Sequence, residues 1–319
     1  MKPFKTILVA TNTQLDIHPN VDKAAEIAQQ NSASIKIVDA LPEFPWTVRL
    51  TLKNHEHVRE LMRQEKLASL EALAAPIRQK GIDVETKVLL GKASVEIVRE
   101  VLRDRHDLVL CAAKGKHSRR SGYFGTTSIR LLRECPCAVW LVAPSAPTPF
   151  KHVLACIDTS SGEALDAELN DKIYELASLV SECRGSQLSV VHAWSAFGEQ
   201  RELDVHNIEG ALKDVRDQSH SLLTKFLETR NSSISEKNVH LIMGDPSNVI
   251  PEFASKNGVD LIVMGTVARS GMAGMTIGNT AERILNSIGC SVLTLKADSF
   301  ESPIRLGDYI NPSHKASGL

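Results

Sequence analysis

The chain has 319 residues, with 37 Lys+Arg against 38 Asp+Glu, a formal charge of −1, 43% hydrophobic residues and only 4% aromatics. That length holds about two domains, and the balanced charge gives no basic footprint for neutralising nucleic-acid phosphates. Few aromatics argue against base-stacking platforms, and the apolar content excludes global disorder.

No stretch approaches the ~18 to 20 apolar residues of a membrane span. The apolar run Ile7–Ala10 is too short for a signal-peptide core. Six cysteines, with Cys111 and Cys156 inside strand-like runs, read as reduced core thiols of a cytoplasmic protein. Cys135-Pro136-Cys137 has no second Cys/His pair at metal-site spacing, and His55 and His57 read as a solvated helix face rather than metal ligands.

The chain repeats itself. Phe4–Thr13 aligns with Phe150–Thr159, and further on Gly91 meets Gly244, Ser94 meets Ser247, Gly125 meets Gly278 and Cys137 meets Cys290. The spacing is larger after the first strand than at it, so the first helix region of repeat 2 should be the longer one. In chain order, repeat 1 closes with a predicted helix over Thr126–Arg133 and a strand over Ala138–Val142. The Pro-rich stretch 144–149 cannot hold a helix and reads as a linker.

Repeat 2 opens with a short apolar run, His152–Ile157, which predicts a buried strand. Leu165, Leu169, Ile173, Leu176 and Val180 then recur at helical spacing. Gln187–His192 reads as a strand, and 204–230 as a charged helix with Leu212, Val215, Leu222, Leu223 and Phe226 as its stripe. A strand over Val239–Met243, a helix over Ser247–Ser255, a strand over Leu261–Met264, a helix over Thr280–Ser287 and a strand over Ser291–Leu295 follow. The expected architecture is α/β: two tandem doubly wound, five-stranded parallel-sheet domains of Rossmann-like type, at 1–143 and 150–297, with an aperiodic tail at 298–319.

In open parallel sheets, ligands bind beyond the carboxyl ends of the strands, where the strand order reverses. After strand 1 stand Asn12 in repeat 1 and Asp158 in repeat 2. After strand 4, repeat 2 carries Gly265, Thr266, Ala268, Arg269, Gly278, Asn279 and Thr280. The matching stretch of repeat 1 carries Ala112, Gly115, Gly125, Thr126 and Thr127. Glycines here permit close backbone approach to a phosphate, and a helix N-terminus favours an anion. On their own, Gly125-Thr126 and Gly278-Asn279 read equally well as plain helix caps. Repeat 1 adds Lys114, Lys116, His117, Arg119 and Arg120, which suit either an anionic head group or a solvated loop.

These loops resemble the G-x2-G-x9-G-[S/T] nucleotide loop of the universal stress protein family. Asp158 matches the acidic residue that the family places after strand 1, near the adenine. The resemblance spans both repeats and implies a stress-response protein without catalysis, with ATP or another adenine nucleotide as the implied ligand. Both copies depart from the pattern, repeat 1 at Ala112 and Asn12, repeat 2 at Ala268 and Asn279, and Asp158 favours repeat 2 as the holder. The resemblance further implies that the last strands, Ala138–Val142 and Ser291–Leu295, pair within one chain, an internal pseudo-dimer and a monomer overall.

Two other readings stand beside this one. An enzyme on the same architecture, hydrolysing a nucleotide or transferring an adenylate, would need a signature loop, and no Walker, G-x-S-x-G or G-x-G-x-x-G motif occurs. His192, at the end of a strand and opposite Asp39 of repeat 1, is the one candidate base. The other reading is an association scaffold with no ligand.

Overall fold

Short aliphatic runs bounded by turn residues become strands, and the longer amphipathic stretches between them become crossover helices. The computed structural model describes residues 4–113, 124–144, 146–147, 149–160, 164–183, 185–195, 208–230, 232, 234–266 and 278–307. In repeat 1 the order is β1 (Thr6–Ala10), α1 (Pro19–Asn31), β2 (Ser34–Leu41), α2 (Trp46–Thr51), α3 (His55–Arg78), β3 (Val84–Leu90), α4 (Ala93–Asp104), β4 (Leu108–Ala112), α5 (Gly125–Glu134) and β5 (Ala138–Val142). Repeat 2 gives β6 (His152–Cys156), α6 (Ala164–Glu182), β7 (Gln187–Trp194), α7 (Ile208–Glu228), β8 (Val239–Met243), α8 (Pro246–Lys256), β9 (Leu261–Gly265), α9 (Asn279–Ser287) and β10 (Ser291–Leu295). As the repeat spacing predicts, α6 is longer than α1, 19 residues against 13. The short α2 carries no sequence signal of its own.

The two repeats build one ten-stranded sheet in the order β3-β2-β1-β4-β5-β10-β9-β6-β7-β8. Within each repeat the strands pair in parallel. At the centre β5 and β10 run antiparallel, Val139 opposite Thr294, Trp140 opposite Leu293 and Leu141 opposite Val292. The pairing expected of the two last strands is therefore present. It covers two sheet edges that would otherwise be open to another chain. Because the halves meet antiparallel, their carboxyl edges face opposite ways.

Successive strand residues point to opposite faces, and each face is roofed by helices from both repeats. Ile7, Val9, Ile37 and Val153 pack with α1, α3, α6 and α7, while Leu8, Val38, Leu154 and Ile262 pack with α4, α5, α8 and α9. Both cores run across the central seam. Of the stripe predicted on α7, Val215, Leu223 and Phe226 are buried but Leu222 is 39% exposed, because its neighbour Leu223 takes the inward position. The tail is ordered as far as it is described: Phe300 is buried and the Ser302 hydroxyl donates to the Glu134 carbonyl at 2.7 Å.

Candidate functional site

The strand order reverses between β1 and β4 in repeat 1, and between β6 and β9 in repeat 2. In repeat 2, Ala155 is paired with Val263, so Asp158 and Thr266 lie equally far beyond the paired strands. Asp158 is exposed, and its Oδ1 accepts from the Ser160 N–H (3.0 Å) and hydroxyl (2.6 Å), which folds the chain into a tight Asx-type turn. Beneath it, Asn170 on α6 is buried and grips the same residue twice. Its Oδ1 accepts from the Asp158 N–H at 3.1 Å, and its Nδ2 donates to the Asp158 carbonyl at 2.7 Å.

Thr266 is buried and fully engaged. Its N–H donates to the Leu295 carbonyl (3.2 Å), its carbonyl accepts from the Gly278 N–H (3.1 Å), and its hydroxyl lies 3.5 Å from the Leu132 carbonyl of repeat 1. The bond to Gly278 brings the start of α9 back over the end of β9. Gly278 is the residue before the helix, whose first N–H groups have no side-chain cap among the described residues, and Asn279 and Thr280 are exposed on its first turn. Such a turn presents unpaired N–H groups and a partial positive charge to solvent. The structure thus gathers Asp158, Thr266, Gly278, Asn279 and Thr280 at one edge. Gly265 is there for space rather than for positive φ: a Cβ would come within 2.7 Å of Leu169 Cδ2 on α6.

His192, near the end of β7, lies against the same edge. It is 1% exposed, its Nδ1 donates to the Ile157 carbonyl at 3.1 Å, and its Nε2 has no partner among the described residues. Desolvation pushes its pKa down, so the ring is neutral.

Repeat 1 builds the equivalent edge differently. Asn12 is exposed and its Oδ1 accepts from the Gln14 N–H at 3.1 Å. Asp39, the counterpart of His192, is buried and accepts from the Thr13 N–H (2.9 Å), the Thr13 hydroxyl (2.7 Å) and Lys66 Nζ (2.5 Å). The acid and its cation are spent on one another and on the loop. Asn20, 0% exposed on α1, donates from Nδ2 to the Ala10 carbonyl at 2.9 Å. Gly125 opens α5 with a φ of 76°, a conformation in which a side chain is strained, and Thr126 and Thr127 are exposed beside it with no side-chain cap. Gly115, Arg119 and the rest of the basic stretch 114–120, like Ala268 and Arg269 of repeat 2, lie outside the described residues.

Two asparagines that sequence reasoning passes over, Asn20 and Asn170, hold the ends of β1 and β6. Each is an amide within a first-helix stretch whose neighbours are buried, a pattern that does not set it apart from a surface residue. Among the described residues no three His, Cys, Asp or Glu side chains could together hold a metal ion, and no helix is long and apolar enough to cross a membrane.

A doubly wound sheet used twice, with an acid after the first strand of repeat 2 and a helix start without a side-chain cap after the fourth strand of each repeat, defines a class of tandem α/β proteins. The chain matches the family model of the universal stress protein family over residues 3–143 and again over 149–296, and it belongs to that family. It is 27% identical over 312 residues to Universal stress protein E of Photorhabdus laumondii, covering 96% of this chain and 99% of that protein. It is 26% identical over 314 residues to Universal stress protein E of Escherichia coli K12, covering 97% and 99%. A putative universal stress protein from Pseudomonas aeruginosa UCBPP-PA14 superposes with a TM-score of 0.72 at 21% identity, over 93% of this chain and 95% of that one. The structural likeness bears on the fold alone.

Proposed function

We propose that this universal stress protein is a non-catalytic cytoplasmic binder of a small anionic ligand, an adenine nucleotide, held at the β6/β9 edge of repeat 2. The supporting observation is the meeting of two opposite features there. Asp158 offers an exposed carboxylate able to accept from a ribose or base, and the uncapped start of α9 offers N–H donors to a phosphate. Asn279 and Thr280 add an amide and a hydroxyl to those donors. The residues of the site are Asp158, Gly278, Asn279 and Thr280, with Gly265, Thr266 and Asn170 as the frame behind them.

Among the described residues, His192 touches no hydroxyl or thiol that it could activate as a nucleophile. The Ser160 hydroxyl donates to the Asp158 carboxylate as part of the turn. The β1/β4 edge, with Asn12, Gly125, Thr126 and Thr127, is the weaker place for the same ligand, because its buried acid Asp39 is already neutralised by Lys66. A monomer is the proposed state, each repeat serving as the other's partner along β5 and β10.

Thermal unfolding with and without ATP or AMP tests this. At 100 μM ligand a Kd of about 1 μM adds ~2.7 kcal/mol of stability. Asp158→Asn keeps an oxygen for the Ser160 turn but removes the charge, and it should abolish that shift. An equal shift in the variant would move the site elsewhere, and flat curves with every nucleotide would remove nucleotides from the account.

A further inference from the structure

The Cys135-Pro136-Cys137 motif joins the end of α5 to the start of β5, directly at the seam between repeats. Its two sulfurs lie 3.5 Å apart, and Cys137 Sγ is also 3.5 Å from the Ala138 carbonyl. Cys135 is fully buried, whereas Cys137 is only half-buried, so Cys137 is the more exposed residue of the pair. Pro136 restricts the backbone between them and limits the conformations that would separate the sulfurs.

A cation lies against this pair. Lys296, just after β10, donates from Nζ to the Cys135 carbonyl and also sits 4.2 Å from the centre of the Phe300 ring. With the Ser302 hydroxyl on the Glu134 carbonyl, it ties the tail to the end of α5. Burial pushes the Cys135 thiol up. The hydrogen bond from Cys137 and the charge of Lys296 more than offset this and leave it below the ordinary thiol range. Of the other thiols, Cys111 and the half-buried Cys156 are pushed far up by desolvation and have no such support. Repeat 2 supplies an internal contrast: Cys290 stands where Cys137 does, but Ile288 replaces Cys135, and burial drives Cys290 up to about 12.

We propose that Cys135 and Cys137 are a redox-active dithiol, a modification site that closes to a disulfide in reaction with hydrogen peroxide. The two sulfurs share a proton that rests more on Cys137, which the Cys135 sulfur and burial push up; in the minor form that carries it on Cys135, Cys137, the more exposed residue of the two, is the thiolate. Its sulfur attacks one peroxide oxygen, the O–O bond breaks, and the departing hydroxide takes up a proton as water. Cys137 is then a sulfenic acid. The Cys135 sulfur attacks that of Cys137, the S–O bond breaks, and hydroxide leaves with the proton from Cys135 as a second water. Two thiols and one peroxide thus become one disulfide and two waters. Closing the bond draws the sulfurs from 3.5 Å to ~2.05 Å, moving the carbonyl that anchors Lys296.

The test is mass spectrometry of the full-length reduced protein after brief treatment with hydrogen peroxide, quenched by alkylation under denaturing conditions. The expected product is the 134–151 peptide lighter by two hydrogens and unalkylated, restored by dithiothreitol, while Cys290 remains alkylated. Cys137→Ser and Cys135→Ser should each abolish the loss, and Cys135→Ser should leave a sulfenic acid at Cys137 that dimedone traps. Because the wild-type readout needs no variant, a misfolded variant does not blunt it. Both cysteines recovered alkylated while exposed Cys183 is consumed would overturn the proposal, as would over-oxidation of Cys137 with no link to Cys135.

Discussion

Asp158, Asn170 and His192 converge on the end of one strand, and each does something its neighbour cannot. Asn170 fixes the backbone of Asp158, which leaves the carboxylate outside, and His192 ties down Ile157 beneath it. His192 is held neutral by burial, whereas in the unfolded chain it takes up a proton below about 6.5. The unfolded state then binds more protons, so stability falls as pH drops through that range, by up to ~1.4 kcal/mol per pH unit for this group. Urea unfolding at pH 7.5 and 5.5 should show a smaller loss for His192→Asn than for the parent, and equal losses would assign the effect to other groups. Gly265 acts by shape. Gly265→Ala drives a methyl into Leu169 and should cost ~1–3 kcal/mol in the same assay. A neutral result would mean that α6 yields.

At the scale of elements, strands and helices are legible because the chain spells them twice. A buried parallel strand needs only a short aliphatic run, and β6, β9 and β10 have little else. The ends of β1 and β6 are equally legible, since a polar residue within two positions of such a run, Asn12 or Asp158, must emerge at the sheet edge. What is not legible is how side chains are spent once the chain folds. Thr266 sits in the expected loop, yet its hydroxyl faces Leu132 of the other repeat. Asp39 matches His192 in alignment, but Lys66 on α3 neutralises it, a contact between residues far apart in sequence. The last glycines also look alike, although Gly125 has a φ of 76° and Gly278 a φ of −59°. A repeated letter does not guarantee a repeated backbone.

For the whole molecule, the seam decides how the repeats behave. Thr294 donates to the Val139 carbonyl (3.2 Å), the Ala143 N–H donates to the Ser291 hydroxyl (3.0 Å), and Arg133 pairs with Glu282 between α5 and α9. Trp140 stacks on Phe150 at 6.0 Å, and the Lys23 ammonium lies 4.1 Å from the centre of that ring. Both cores cross this line, so the halves should unfold together. Trp140→Ala should cost ~3–5 kcal/mol and lower hydrogen-exchange protection in β1 and β6 alike. Loss confined to repeat 1 would show that the halves are energetically separate. The same antiparallel seam turns the two candidate edges away from each other, so the proposed site at the β6/β9 edge is independent of the β1/β4 edge. Isothermal titration of the full chain with ATP measures this directly. One equivalent bound in the parent and none in Asp158→Asn is the expected result. Two equal equivalents, or binding unchanged by Asp158→Asn, would contradict it.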